Sequence, residues 1–382
     1  MTDFGQPAIV TYAFAPDHKG AQRAAPDAAL IEGMREAVDR VEAVAGVRFV
    51  EVGADDDPMV SLQYTTDGSG YSWAHYPSVS AGSPNTSSQI LMSDVMTDYT
   101  PGSWGFEILL HELGHTLGLK HPHEGGVQLD AATDNTSHTL MSYNRDDPHD
   151  TYQSLDVKAL QHLYGPAGGL DGVTTVYRAA SDTMLVKGTA AGETLIGVNG
   201  RSVLSGGSGA DQLLGRDAAD RLLGGAGNDK MVGAGGRDKL LGGIGNDAMS
   251  GGAGNDRLAG QKGNDILDGG VGHDRLDGGG GHDRLSGGAG NDKLAGGRGN
   301  DVMTGGDGRD VFDAFGSGRD VVRDFDPHEG DRIDISGLDM SASEAADRLT
   351  SMRGNLVFDT GMGTLTLEGA GDLNGGEWIF IG

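Results

Sequence analysis

Residues 224 to 232 read GGAGNDKMV, and neighbouring blocks repeat the same grammar: GGIGNDAMS at 242 to 250, GGAGNDRLA at 251 to 259 and GGRGNDVMT at 296 to 304. From Gly188 to Asp313 the chain divides into fourteen such blocks of nine without a slip of frame. The sixth position is aspartate in the last twelve: Asp211, Asp220, Asp229, Asp238, Asp247, Asp256, Asp265, Asp274, Asp283, Asp292, Asp301 and Asp310. The eighth is apolar in all fourteen, from Leu195 and Leu204 through Met231, Met249 and Leu276 to Phe312. A disordered linker has no reason to keep such a register.

Six residues rich in glycine and aspartate predict a turn, and the three that follow predict a short strand whose middle side chain points inward. Stacked blocks then make an all-β parallel β-roll with a thin core of eighth-position side chains. So narrow a core needs help at the turns. Several Ca2+ ions fit, because calcium takes carboxylates together with backbone carbonyls. Residues 188 to 313 carry 18 acidic and 13 basic side chains, so only -5 of the chain's -28 lies there. Local geometry, not a diffuse acidic field, must therefore hold calcium, and the Arg or Lys common at the seventh position is expected to offset the aspartates. Glu193 and Ser202 stand where the first two blocks would have aspartate, and Arg216 and Ala218 replace turn glycines in the fourth. Calcium is expected mainly from about Gly224 onward. The pattern GGxGxDxUx resembles the nonapeptides of RTX proteins. That resemblance implies export by type I secretion machinery and folding where calcium is plentiful.

The remainder of the 382 residues is of another kind, and the length suits two or three domains. With no cysteine there are neither disulfides nor thiolate metal sites. The start, MTDFGQPAIVTYAFAP, lacks the pattern of a secretory signal, and no apolar run is long enough for stable membrane insertion. The net charge of -28 argues against nucleic acid and anionic lipid as partners. In PDAALIEGMREAVDRVEAVAG, Leu30, Ile31, Met34, Val38 and Val41 recur at helical spacing after Pro26 and Asp27. The runs VRFVEV (47 to 52), MVSLQYT (59 to 65) and SSQILMS (87 to 93) read as strands, giving a mixed α/β unit. Asp55, Asp56 and Asp57 read as a solvated turn.

Within that unit residues 111 to 121 read HELGHTLGLKH. Phe106, Leu109, Leu110, Leu113 and Leu117 give the helix a buried face, and His111 and His115 lie on another side. Four residues advance about 400°, so the two imidazoles fall within about 40° and about 6 Å of each other and can share one ion. Glu112 is turned away from direct ligation. His121 joins them only if the helix ends, and Gly118 is where it can, with Pro122 preventing resumption. One Zn2+ suits three imidazoles with a position open for water. His123, His138 and His149 lack such spacing and read as surface residues.

HELGHTLGLKH resembles the zinc motif of the metzincin metallopeptidases, and TLMSYN at 139 to 144 resembles their Met-turn. Met141 and Tyr143, with LDVKALQHLYG at 155 to 165 and the repeat behind, resemble the serralysin family in particular. The resemblance implies an α/β metzincin-like zinc peptidase domain over 1–165, a connecting segment over 166–187, an RTX β-roll over 188–313 and a C-terminal β cap over 314–382. It implies zinc on His111, His115, His121 and Tyr143, Glu112 as general base, Tyr143 also stabilising the transition state, and Met141 as the apolar floor. A secreted, extracellular, monomeric endopeptidase of broad specificity on protein or peptide substrates follows. The tail GEWIFIG resembles the family's export signal, and it also reads as a terminal strand. The competing reading is an inactive secreted calcium-binding adhesion or toxin protein.

Overall fold

Asp27 starts the first helix, α1 (Ala28–Glu42), by accepting a hydrogen bond from the Leu30 N–H, which satisfies one of the amides a helix start leaves open. Leu30, Met34, Ala37, Val38 and Val41 form its buried face. The computed structural model describes residues 8–15, 23–54, 58–65, 72–74, 88–120, 139–141, 151–164, 170–178, 181, 183–198, 200–313, 316–370 and 380–381. It divides into two compact units, Met1–Thr183 and Met184–Gly382. The expected turn at Asp55 to Asp57 lies outside the described residues.

In the first unit α1 joins two parallel strands, Ala8–Phe14 and Val47–Glu51. The strands Val60–Thr65 and Ser88–Ser93 extend that sheet in parallel. Two short antiparallel additions complete it, Arg23–Ala24 on Val60–Thr65 and Trp73–Ala74 on Ser88–Ser93. The core joins sheet residues Val10, Leu62 and Ile90 to Leu30 and Met34 of α1 and to Phe106, Leu109 and Leu110 of the second helix, α2 (Trp104–Thr116). A third helix, α3 (Ser154–Tyr164), adds Leu160 to the same core. Among the described residues no helix is long and apolar enough to cross a membrane.

The second unit is a parallel solenoid. Leu222 pairs with Leu240, and Leu240 with Leu258, so one coil consumes two nine-residue blocks. Odd and even blocks feed two separate sheets. Every eighth-position side chain from Leu195 to Phe312 is at most 3% exposed and fills the space between them. The strands are longer than the expected three residues. Arg221–Ala226 and Lys239–Ile244 each run through the next block's first three positions, with Gly225 pairing Gly243. The first-position glycine faces inward because nothing larger fits: a Cβ on Gly224 would lie 2.3 Å from Asp229 Oδ2 and 2.7 Å from the Gly242 carbonyl oxygen.

Fourth-position glycines are more constrained still. Gly254 has φ +139°, and a Cβ there would come 1.4 Å from the Gly236 carbonyl oxygen. Gly280, at a third position, meets nothing closer than 3.8 Å and has no positive φ. Gly254→Ala is therefore expected to destabilise the calcium-loaded roll by roughly 3 kcal/mol or more in urea titrations, and Gly280→Ala to change it by less than about 1 kcal/mol. Three second positions nevertheless carry a side chain at positive φ. Arg216, Ala234 and Gln261 sit there with φ of 99°, 80° and 76°.

The coil does not stop with the last block. Gly318–Val322 and Arg332–Asp334 continue the two sheets in parallel. Gly363–Leu367 then joins one of them in parallel, and Asn355–Asp359 and Leu349–Met352 close it in antiparallel pairing. The backbone of Phe380–Ile381 pairs with Arg332–Asp334, so the tail supplies a terminal strand.

Candidate metal centres

Ser103 opens α2 by accepting from the Phe106 N–H at 3.1 Å. Phe106, Leu109, Leu110, Leu113 and Leu117 are buried as their spacing predicts, but so is the other side, including His111, Glu112 and His115. The helix ends by a Schellman turn. Gly118 has φ +94°, its N–H donates to the His115 carbonyl, and the Leu119 N–H donates to the Gly114 carbonyl at 3.0 Å. The reversal brings the Leu119 carbonyl back to His115 Nδ1 at 2.9 Å. Termination at Gly118 thus also orients an imidazole.

His111 is held the same way, its Nδ1 lying 2.8 Å from the Leu140 carbonyl. A carbonyl only accepts, so both imidazoles donate from Nδ1, the arrangement that assigns Nε2 to a metal when a neutral histidine ligates one. Their ring centroids are 4.8 Å apart and their planes perpendicular. Met141 is buried against α2, 1% exposed, so close that a Cβ on Gly114 would be 2.9 Å from its Sδ. His121 and Tyr143 lie outside the described residues, as do His123, His138 and His149. Among the described residues no three His, Asp or Glu side chains converge as a metal site.

The sequence reading missed what anchors the 139–141 turn. Asp156, buried in the first turn of α3, accepts from the Thr139 hydroxyl at 2.5 Å and from the Leu140 and Gln153 N–H groups at 2.7 and 3.0 Å. Burial pushes its carboxyl upward, and these hydrogen bonds oppose the shift. Tyr152 adds a bond from its hydroxyl to the Leu110 carbonyl at 2.7 Å. An acid in a first helical turn reads in sequence as a helix-start residue, which hides this role. Asp156→Ala should strand buried donors beneath His111 and cost about 3 kcal/mol of first-unit stability by urea titration; Asp156→Asn should cost less.

The sixth-position aspartates form two ladders along the roll. Asp229 Oδ1 accepts the Asp211 N–H and Asp247 Oδ1 accepts the Asp229 N–H, each at 2.9 Å, and the pattern repeats every 18 residues to Asp310. Oδ2 of all twelve, Asp211 through Asp310, is buried without a hydrogen-bond partner. The orphaned oxygens begin at Asp211, ahead of the expected start near Gly224. Ten of them, Asp211 through Asp292, share the small space beside a first-position glycine with a carbonyl, as Asp229 Oδ2 does with the Gly242 oxygen. Burial raises these carboxyls, to about 7 at Asp238 and about 8 at Asp220. An orphaned carboxylate oxygen beside a carbonyl is the donor set of a hard cation, and calcium fits it.

The seventh-position cations do not offset the ladder directly. Arg221, Lys239, Arg257 and Arg275 are exposed and form no ion pair among the described residues. The ladders also outrun the repeat. Asp320 Oδ1 accepts the Asp301 N–H at 3.0 Å, and Asp331 Oδ1 accepts the Asp310 N–H at 2.9 Å. Asp331 Oδ2 is taken by the Asp326 N–H, so that column closes on a carboxylate with both oxygens engaged. The strings GRDVV at 318 to 322 and GDRI at 330 to 333 were the available signal, displaced from the nine-residue frame.

Residues 187–322 match, in overlapping stretches, the family of RTX calcium-binding nonapeptide repeats. The repeats indicate calcium binding. The chain is similar to serralysin of Proteus mirabilis, with 30% identity over 202 residues, 42% of this chain and 40% of the relative. It is also similar to metallopeptidase AprA of Pseudomonas marginalis, with 30% identity over 167 residues, 37% of this chain and 35% of the relative. The chain thus spans well under half the length of these curated relatives. A crystal structure of the extracellular lipase LipA from Serratia marcescens covers 51% of this chain and 39% of its own at 17% identity, with a TM-score of 0.18, too low to establish a shared fold.

Proposed function

We propose, starting from a serralysin-family chain with a carboxy-terminal RTX region, that this protein is a secreted, calcium-stabilised zinc endopeptidase of broad specificity with a metzincin-like first unit. The observation that carries the reading is the pair His111 and His115, perpendicular at 4.8 Å, each fixed through Nδ1 by a backbone carbonyl. His121 would complete the zinc site, with Tyr143 as a further ligand. Zinc would supply Lewis acidity toward a water and a peptide carbonyl.

The chain's own residues do the rest. Glu112, on α2 between the two histidines and 7% exposed, takes the proton of the attacking water and returns it to the leaving amine. Tyr143 would donate its hydroxyl hydrogen to the oxyanion, and Met141 would supply the apolar floor under the imidazoles. The Asp156 network holds the turn whose Leu140 carbonyl orients His111. The relatives' names support protein substrates, and secretion by a type I system is the family's habit.

The test is casein hydrolysis by the full chain loaded with calcium and zinc. Activity abolished by o-phenanthroline and restored by zinc, with calcium held constant, is the expected result. A fully folded, zinc-bound chain without activity would favour the inactive calcium-binding alternative.

A further inference from the structure

The seventh-position residues of the two sheets differ in kind. On one sheet successive coils place Arg221, Lys239, Arg257, Arg275 and Lys293 in direct register, an unbroken file of cations. On the other the same positions hold Gln212, Lys230, Ala248, Ile266, Arg284 and Val302. Neighbouring strands lie about 4.8 Å apart, so the five charges span about 19 Å along the roll axis.

Stacking like charges at that spacing costs stability, and nothing in the roll's own packing requires it. Arg221, Lys239, Arg257 and Arg275 are exposed and unpaired among the described residues; Lys293 closes the file on Asp334 at 2.6 Å. Exposed Lys262 and Arg298, at third positions of the same sheet, add charge beside it. Within the span Asp277 is the acid on the same outward face. In a chain of net charge -28 the file is a local exception, and screening over about 10 Å lets it act as one.

We propose that this sheet face docks an extended acidic polysaccharide of the polyuronate type, lying along the roll axis with its carboxylates against Arg221, Lys239, Arg257 and Arg275. A polyuronate is a linear chain with one carboxylate per ring; in a twofold conformer alternate carboxylates face the same side, so that one edge of the chain meets every second cation of the file. The outward neighbours Leu223, Leu241, Ala259 and Ala295 offer no aromatic platform for nucleobases, which sets the face apart from single-strand nucleic-acid grooves. A membrane surface would call for a patch with apolar anchors, whereas the charges form a line. The surface depends on the calcium-folded roll and not on proteolysis.

Calorimetric titration of the full calcium-loaded protein with an oligouronate long enough to span the file, too short to gel with calcium, tests it. Binding that weakens as salt is added is expected. Lys239→Ser/Arg257→Ser/Arg275→Ser should weaken binding by at least about tenfold, while Lys230→Ser/Arg284→Ser on the opposite sheet should change it by less than about twofold. Circular dichroism in calcium monitors the fold. If the triple variant departs from the parent spectrum, the single reversals Arg257→Glu and Arg275→Glu carry the test, each expected to weaken binding several-fold. No binding by the parent overturns the proposal, as does equal binding of the carboxyl-reduced sugar or parent-like binding by the folded variants. A single-stranded oligonucleotide of equal charge binding more tightly would reassign the face to nucleic acid.

Discussion

Chelating calcium from the full chain is expected to erase the β-roll circular dichroism, and adding calcium back to restore it. Twelve aspartate Oδ2 atoms are buried without a partner, and a buried, uncompensated carboxylate costs several kcal/mol. The core cannot absorb that, since each coil contributes only two eighth-position side chains. Without a cation the aspartates can escape the penalty by protonation, and this fixes the pH dependence. Burial raises Asp247 and Asp274 to about 6, Asp238, Asp283 and Asp310 to about 7, and Asp220 to about 8. A folded-state value above the unfolded one means that the metal-free fold holds extra protons. Its stability is greatest below the unfolded value of about 3.9 and declines as pH rises through about 6 to 8. Calcium needs the deprotonated form, so its apparent affinity runs the opposite way and rises over that window. Dichroism titrations should show a calcium midpoint at least about tenfold lower near pH 8 than near pH 5. A spectrum indifferent to chelator at neutral pH would refute the role of the aspartates.

The roll was legible because its information is periodic and local. A nine-residue frame fixes which side chain points inward, and the thin Leu and Met core follows from it without long-range knowledge. Two features escaped that frame. The strands run six residues because a first-position glycine can stay in the ladder beside an aspartate oxygen, a fact of three-dimensional crowding at Gly224 and Asp229. Asp320 and Asp331 continue the ladders at spacings of 19 and 21, where counting by nine looks elsewhere.

In the first unit, α2, its termination at Gly118 and the facing of His111 and His115 followed from helix geometry. The support beneath them did not. Asp156 reaches Thr139 and Leu140 across 17 and 16 residues of chain, and no periodicity links those positions. The Leu119 carbonyl that orients His115 was equally hidden. A sequence motif specifies side chains, whereas this contact is made by backbone exposed through the Schellman turn.

Glu112→Gln is expected to lower kcat for casein or a quenched peptide by about 10^3-fold or more while leaving KM within a few-fold. Glutamine keeps the side chain's volume at a site only 7% exposed, so α2 and its core contacts should persist. What it removes is the carboxylate that accepts and returns a proton. His111 and His115 keep their carbonyl partners at Leu140 and Leu119, so zinc content by elemental analysis should match the parent's. The pH profile separates a general base from a merely structural acid. Whatever dependence of kcat/KM on pH the parent shows through its general base should be absent from the residual activity of the variant. Loss of zinc together with activity would make Glu112 a structural residue of the site. Activity within about tenfold of the parent, with zinc retained, would remove it from proton transfer altogether.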